Sequence, residues 1–342
     1  MSHFDADVSP LDDFRALARA PRPDHSDALA ATRAREAALT KPAGSLGRLE
    51  KLAEWLTAVT GKAPPTVDHP RVVVFAASHG VAEEGVSAYP SSVNAQMLAS
   101  FRDGKAAINQ ICAAYGIGLS AFDLAVDIPS GNIAVEDAFA SERAAAATMA
   151  FGLEAIANGV DCLALGEMGI GNTTVAAALY AALIGGTAAD WCGAGTGVSG
   201  EAMARKIAAV DKALARVAGE EDPLVLLTRI GGREIAAMVG AILAARSQKV
   251  PVVIDGFVST AAAAVAYKIA PQAIDHCLFA HRSAEAAHGR ALEAMGVSPL
   301  LDLGMRLGEG TGAALAIGIL RAAAACHSGM STFAEAGVDG PV

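Results

Sequence analysis

Residues 163–178, LALGEMGIGNTTVAAA, read as strand, glycine-rich turn and helix. Leu163, Ala164 and Leu165 are a short apolar run, and Gly166, Gly169 and Gly171 punctuate the turn. Val175 to Ala182 then has strong helix content. Asn172, Thr173 and Thr174 are of the types that cap helices, because their side chains accept first-turn amide protons. Such a turn aims several backbone N–H groups and the positive end of a helix dipole at one point, which suits a phosphate. Glu167 is the carboxylate within it. A tight strand-to-helix connection with no ligand accounts for the stretch equally well, since lone glycine-rich turns are common in α/β proteins.

The same alternation extends in both directions. Apolar runs at 71–75 (RVVVF), 119–126 (LSAFDLAV), 251–256 (PVVIDG) and 275–285 (DHCLFAHRSAE) read as strands. Helical patterns fall between them at 91–102, at 257–270, and in an Ala-rich stretch running on to Ile156. Residues 222–245 are helical in pattern with a break at Gly231–Gly232, although 224–229 is also compatible with a strand. The order predicts an α/β fold, a parallel sheet covered by helices on both faces. Helical segments flank it: Phe14, Leu17 and Ala18 share one face, and Leu46, Leu49, Leu52, Ala53, Leu56 and Val59 form a stripe. These ends are expected to pack as a smaller helical domain (1–61 with 306–342) beside a larger one (62–305). Lys41, Ser45 and Arg48 read most simply as a capped, solvated helix start.

Of 342 residues, 53% are hydrophobic and 18% charged, enough for a large core. The net charge of −10 disfavours general binding to nucleic acid or anionic membranes, and 5% aromatics argues against a stacking platform. The N-terminus MSHFDADVSP lacks the apolar core of a secretory signal, and polar residues interrupt the apolar runs, so a cytoplasmic chain without a membrane span is expected. Five scattered cysteines without CxxC read as reduced thiols, and eight histidines without HExxH give no metal site.

Candidate ligand residues follow from position. Open parallel sheets bind ligands outside the carboxyl ends of their strands. That brings forward His79, Glu83, Glu84, Ser87 and Tyr89, which follow the 71–75 run. A second glycine-rich loop, Gly193, Gly195 and Gly197, precedes Arg205 and Lys206, and two backbone cradles with one cation can converge on a phosphate. Finally, Glu309 sits between Gly308 and Gly310, ahead of a long apolar helix. A carboxylate in an apolar pocket is how proteins tune a base; a helix N-terminal Glu favourable to the dipole is the structural alternative.

Eight stretches jointly resemble the nicotinate-nucleotide–dimethylbenzimidazole phosphoribosyltransferase family of cobalamin nucleotide-loop assembly. They are KPAGSLGRLE (41–50), HGVAEEGVSAYP (79–90), GEMGIGNTT (166–174), GAGTG (193–197), GGREIAAM (231–238), VVIDGFVS (252–259), HRSAE (281–285) and RLGEGTGAALA (306–316). The resemblance implies a Rossmann-like parallel sheet with a smaller helical domain, a homodimer, and no cofactor or metal. It implies transfer of phosphoribose from nicotinate mononucleotide to 5,6-dimethylbenzimidazole, giving α-ribazole 5′-phosphate and nicotinate. It also implies Glu309 as catalytic base, with Glu167 beside the ribose. Phosphate and ribose would be held by Gly169, Gly171, Asn172, Thr173, Gly193, Gly195, Gly197 and Lys206. The benzimidazole would be bordered by His79, Ser87, Tyr89, Gln96 and Leu307. One departure stands out: Ser78 occupies the place of an Asp common in the family. His281, Arg282 and Ser283 receive no role.

The chemistry is consistent with the residues. Nicotinate on C1′ is a cationic leaving group, so placement and a general base suffice, and no covalent nucleophile is needed. Transfer to another purine or phenolic acceptor, and a non-catalytic nucleotide-binding regulator, are the alternatives.

Overall fold

The computed structural model describes residues 9–157 and 159–340. Five parallel strands form one sheet: β1 (Pro70–Ala76), β2 (Gly118–Asp123), β3 (Cys162–Met168), β4 (Val252–Ile254) and β5 (Cys277–Phe279). Their order is β2-β1-β3-β4-β5. The register pairs Phe75 with Glu167 across β1 and β3, and Leu165 with Ile254 across β3 and β4. The α/β fold expected from the alternation is therefore the fold observed.

Strand alternation sorts the core into two layers. Val73, Phe75, Leu163, Leu165, Val252 and Ile254 point to one face, where the helices Asn172–Ile184, Arg233–Ser247 and Phe257–Ile269 cover them. Val72, Val74, Cys162, Ala164 and Val253 point to the other. There they meet Leu52 and Leu56 of the Arg48–Thr60 helix, Ile108 and Cys112 of the Ala107–Tyr115 helix, and Ile317 and Leu320 of the Thr311–Gly329 helix. The Thr311–Gly329 helix is long and apolar enough to cross a membrane by length and composition. Its apolar side is committed to the sheet.

Several local expectations are corrected. Glu167 lies in β3, not in the turn after it. Asn172, Thr173 and Thr174 do not cap the following helix; its N-cap is Gly171, at φ 94°, without a side-chain cap. Ser45 makes no cap either, because Gly47 takes that position. The Lys41 side chain is ion-paired and mostly covered instead of solvated, its Nζ 2.8 Å from Glu36 and 2.7 Å from Glu50. Residues 224–229 are helical: Asp222 Oδ1 accepts the Leu224 amide at 2.8 Å, and Pro223 opens the Pro223–Ile230 helix at a position where its missing N–H costs nothing.

A tight helix crossing on the first face lies between Glu142–Phe151 and Arg233–Ser247. A Cβ on Gly240 would overlap the backbone carbonyl of Met149. Backbone cannot give way as a flexible side chain can. Gly240→Ala should therefore cost about 3 kcal/mol or more, read as a lowered midpoint in chemical denaturation; an unchanged midpoint would show that the two helices can separate freely.

Candidate active site

A cleft of about 330 Å³ opens outside the carboxyl ends of β3, β4 and β5. Glu167, Met168, Gly169 and Ile170 reach it from the end of β3, with Asn172 and Thr173 from the helix that follows. Gly256, Phe257 and Val258 come from beyond β4, and His281, Ser283 and Glu285 from beyond β5. Gly195, Thr196 and the segment Arg306–Gly308 form further walls, and Tyr89 completes them. Tyr89 and Leu307 are both more than half exposed, giving the cleft two apolar surfaces.

The turn 308–310 is unusual backbone. Gly308, Glu309 and Gly310 all have positive φ, at 85°, 63° and 81°. For Glu309 this left-handed conformation costs of order 1 kcal/mol. Neighbours hold it: the Glu309 amide donates to the Glu167 carbonyl at 3.3 Å, and Asp255 accepts from the Gly310 amide at 3.2 Å and the Ala313 amide at 2.9 Å. The turn also lies directly on β3, since a Cβ on Gly166 would collide with the Glu309 carbonyl. The Glu309 carboxylate is buried, and its Oε2 has no hydrogen-bond partner among the described residues. Burial raises its pKa above the ordinary carboxylate value, opposed by the Ile108 amide.

The neighbouring carboxylates are perturbed more strongly. Burial pushes Glu167 up to about 8, helped by the negative charges of Glu234 and Asp255 and opposed by the Asn172 side-chain amide, which donates to its Oε2. Burial pushes Asp255 up to about 7 against the backbone amides it accepts from. Lys206 is 1% exposed and donates to Thr173 Oγ1 and to the Gly193 carbonyl, both at 2.9 Å. Burial lowers its pKa. Among the described residues it is a cation without a hydrogen-bonded carboxylate, directly behind the cleft wall.

The wall beyond β5 is set by His288. The Ser283 amide donates to its Nδ1 at 2.8 Å, so Nε2 carries the proton and donates to Thr260 Oγ1 at 2.9 Å. Burial holds this imidazole neutral, its pKa pushed down to about 3.

A phosphoribosyltransferase family model matches residues 21–338. The chain belongs to the nicotinate-nucleotide–dimethylbenzimidazole phosphoribosyltransferase family. Proteins of that name from Sinorhizobium medicae and Rhizobium meliloti are each 61% identical, over 97% and 96% of this chain and 98% and 97% of their own lengths. CobT from Thermus thermophilus superposes with a TM-score of 0.87 at 43% identity, covering 92% of this chain and 100% of that one. The chain is thus a phosphoribosyltransferase, and the cleft is the candidate site for that transfer.

The expected site residues of the phosphoribosyltransferase distribute unevenly around the cleft. Glu167, Gly169, Asn172, Thr173, Gly195, Tyr89 and Leu307 line it. Lys206 and Gly193 lie just behind, joined by their hydrogen bond. Gly171 starts the helix below, and Gly197 is in the same loop as Gly195. Ser87 meets Thr196 hydroxyl to hydroxyl at 3.0 Å, closing the 85–90 loop onto the GAGTG loop. Gln96 is exposed on the Val93–Arg102 helix. His79 is buried below Gly169, its Nε2 2.8 Å from Glu234 Oε1. Glu84 accepts from Asn132 Nδ2 at 2.9 Å, away from the cleft lining, and Glu83 is exposed. The lining also includes Glu285 and Arg306, which sequence reasoning missed, and Ser283, to which it gave no role. The rule that selects residues after the 71–75 run applies equally after β5 and would have found Ser283 and Glu285.

Asp255 bears two buried amides. Asp255→Ala leaves both unsatisfied at about 1–3 kcal/mol each, so denaturation should show a loss of about 2–6 kcal/mol. Turnover should fall with it, because the 308–310 turn is released. Full stability and activity in that variant would mean the turn is held by other contacts.

Proposed function

We propose that this enzyme transfers the 5-phosphoribosyl group of nicotinate mononucleotide to 5,6-dimethylbenzimidazole in cobalamin biosynthesis, with Glu309 as general base. The observation that carries the proposal is the Glu309 carboxylate. It is buried, one oxygen is unpartnered among the described residues, its pKa is raised, and it is fixed by a left-handed turn onto the end of β3. A raised pKa makes a carboxylate a better proton acceptor while leaving it ionisable near neutrality.

In the proposed reaction the incoming benzimidazole nitrogen forms a bond to C1′ from the face opposite nicotinate. The C1′–nitrogen bond of nicotinate breaks, its electron pair neutralises the pyridinium, and the proton of the benzimidazole goes to Glu309. One displacement inverts C1′, taking a β-nucleotide to an α-product. Much of the acceleration is expected from holding the two rings in line. Tyr89 and Leu307 supply apolar surface for a flat acceptor. Glu167, at the cleft side of the same turn, would orient the ribose hydroxyls. The amides of 169–173, the GAGTG loop and Lys206 would hold the phosphate, a charge-assisted contact. The family likeness supports a homodimer working in the cytoplasm on these small substrates, without cofactor or metal.

Glu309→Gln keeps the shape and removes the base. It should lower kcat by about 10²–10⁴-fold with KM for nicotinate mononucleotide little changed. The acid limb of the wild-type kcat profile should lie above an ordinary carboxylate value, since Glu309 must be deprotonated to act. Near-normal turnover of the variant would remove Glu309 from the role. Lys206→Ala should raise KM for the nucleotide about ten- to a hundredfold, the cost of one charged hydrogen-bond donor, and leave KM for dimethylbenzimidazole unchanged. Equal effects on both substrates would place the lysine elsewhere in function.

A further inference from the structure

Thr196 lines the cleft from the GAGTG loop, yet its hydroxyl is engaged by a different segment, the 85–90 loop. Its Oγ1 accepts the Ala88 amide at 3.1 Å and meets Ser87 Oγ at 3.0 Å. Ser87 Oγ in turn accepts the Tyr89 amide at 3.2 Å. A hydroxyl offers one proton and two lone pairs. Each oxygen therefore takes a backbone amide, and one of the two gives its proton to the other. A short chain of bonds runs in this way from the GAGTG loop to the backbone of Tyr89. Gly195 and Gly197 flank Thr196 with positive φ, 52° and 115°, backbone that lets the loop turn sharply at this residue.

Little else holds this part of the loop. Val86 is buried in the core, but residues 88–92 are exposed, the Tyr89 side chain among them. Other tethers fall earlier: the Gly85 carbonyl accepts from Arg205 Nε at 3.3 Å, and Glu84 from Lys212 Nζ at 3.4 Å. Among the described residues, the hydrogen bonds that tie 87–92 to a distant segment are those of Thr196; the rest are local, such as the Val93 amide to the Pro90 carbonyl. A ring that is not itself packed takes its position from its backbone. The other apolar surface of the cleft reaches the same dipeptide, because Arg306, next to Leu307, donates from Nη1 to the Gly195 carbonyl at 2.8 Å. Gly195–Thr196 thus joins the two segments that carry Tyr89 and Leu307.

This inference rests on the proposed reading of the cleft, in which Tyr89 and Leu307 take the flat acceptor. We propose that Thr196 is a positioning residue for the acceptor base: its hydroxyl, through Ser87 and the Ala88 amide, holds Tyr89 in place against the ring. The residue serves the acceptor although it belongs to the loop assigned to the phosphate. That loop would hold phosphate through its backbone amides, which leaves its single hydroxyl side chain for a second task. A wall fixed by the enzyme spares the acceptor the cost of ordering it. Without the latch, the acceptor binds only the fraction of molecules in which the loop is closed, and its apparent affinity falls by that fraction.

Thr196→Val keeps the branched shape and removes the hydroxyl. Steady-state kinetics of the full-length enzyme, each substrate varied with the other saturating, should split the two Michaelis constants. KM for dimethylbenzimidazole should rise about three- to thirtyfold, the worth of two exposed hydrogen bonds, while KM for nicotinate mononucleotide stays within about twofold of the wild type. Thr196→Ser retains the oxygen and should restore KM for dimethylbenzimidazole. Ser87→Ala should raise the same constant. The double variant should fall short of the product of the two single effects, because both substitutions break the same bond. A wild-type KM for dimethylbenzimidazole in Thr196→Val overturns the inference. So does a larger rise in KM for the nucleotide, which would put the hydroxyl on the phosphate, and so do single effects that simply multiply. In each of these cases the enzyme still transfers phosphoribose to dimethylbenzimidazole, and the proposed function stands. If the wild type transfers nothing to dimethylbenzimidazole, both readings fall.

Discussion

The carboxylate of Asp255 ties the far end of the chain to the sheet. It stands one residue beyond β4 and accepts two amides at the start of the Thr311–Gly329 helix, from Gly310 and Ala313. The helix start receives from a distant strand the acceptor that a local capping side chain would normally give. The consequence is geometric. The 308–310 turn is pinned between β3 and β4, and it sets Glu309 beside Glu167, whose carbonyl accepts the Glu309 amide. The strain at Glu309 persists because the surroundings over-determine it.

Charge then governs the site. Asp255 and Glu309 are buried beside the half-buried Glu167, with Glu234 near enough to raise Glu167 further. Carboxylates crowded in this way do not ionise independently, and their protons belong to the group as a whole. Lys206 lies on the other side of the cleft wall, buried as a cation with neutral hydrogen-bond partners. The separation makes chemical sense for a substrate with a dianion at one end and a reacting ring at the other. In the proposed reaction the cation would meet the arriving phosphate and the carboxylates would take up the leaving proton.

Much of this is legible from sequence because strand–turn–helix units announce themselves locally. The alternation at 71–80, 163–178 and 251–270 carries its own apolar runs and glycines, enough to specify the sheet and its covering. The caps expected at Asn172–Thr174 and Ser45 fail because glycines one or two residues away take those positions, while Asn172 is engaged elsewhere and holds Glu167. The ion pairing of Lys41 escapes a local reading because its partners Glu36 and Glu50 converge only after two helices pack. The role of Asp255 is out of reach for the same reason: its two amides lie 55 and 58 residues away. Glu285 is different, since the rule for strand ends reaches it and the signal lies in the sequence.

The position of Ser78 shows how a buried residue can act on a site without entering it. Ser78 is buried below the cleft and not among its lining. Its hydroxyl donates to the Val126 carbonyl at 2.5 Å and accepts from Asn94 Nδ2 at 2.7 Å. Asn94 Oδ1 in turn accepts the Ile170 amide at 2.8 Å. The chain of bonds runs from the end of β1, through the Val93–Arg102 helix, into the glycine-rich turn that faces the cleft. An ionised aspartate at 78 would accept from Asn94 equally well but has no proton to give Val126. The hydroxyl satisfies both neighbours while adding no negative charge to a region already holding Glu234, Glu167 and Asp255. The serine therefore fits an enzyme whose carboxylates are gathered at the junction of β3, β4 and the 308–310 turn, with the support beneath the glycine-rich turn kept neutral.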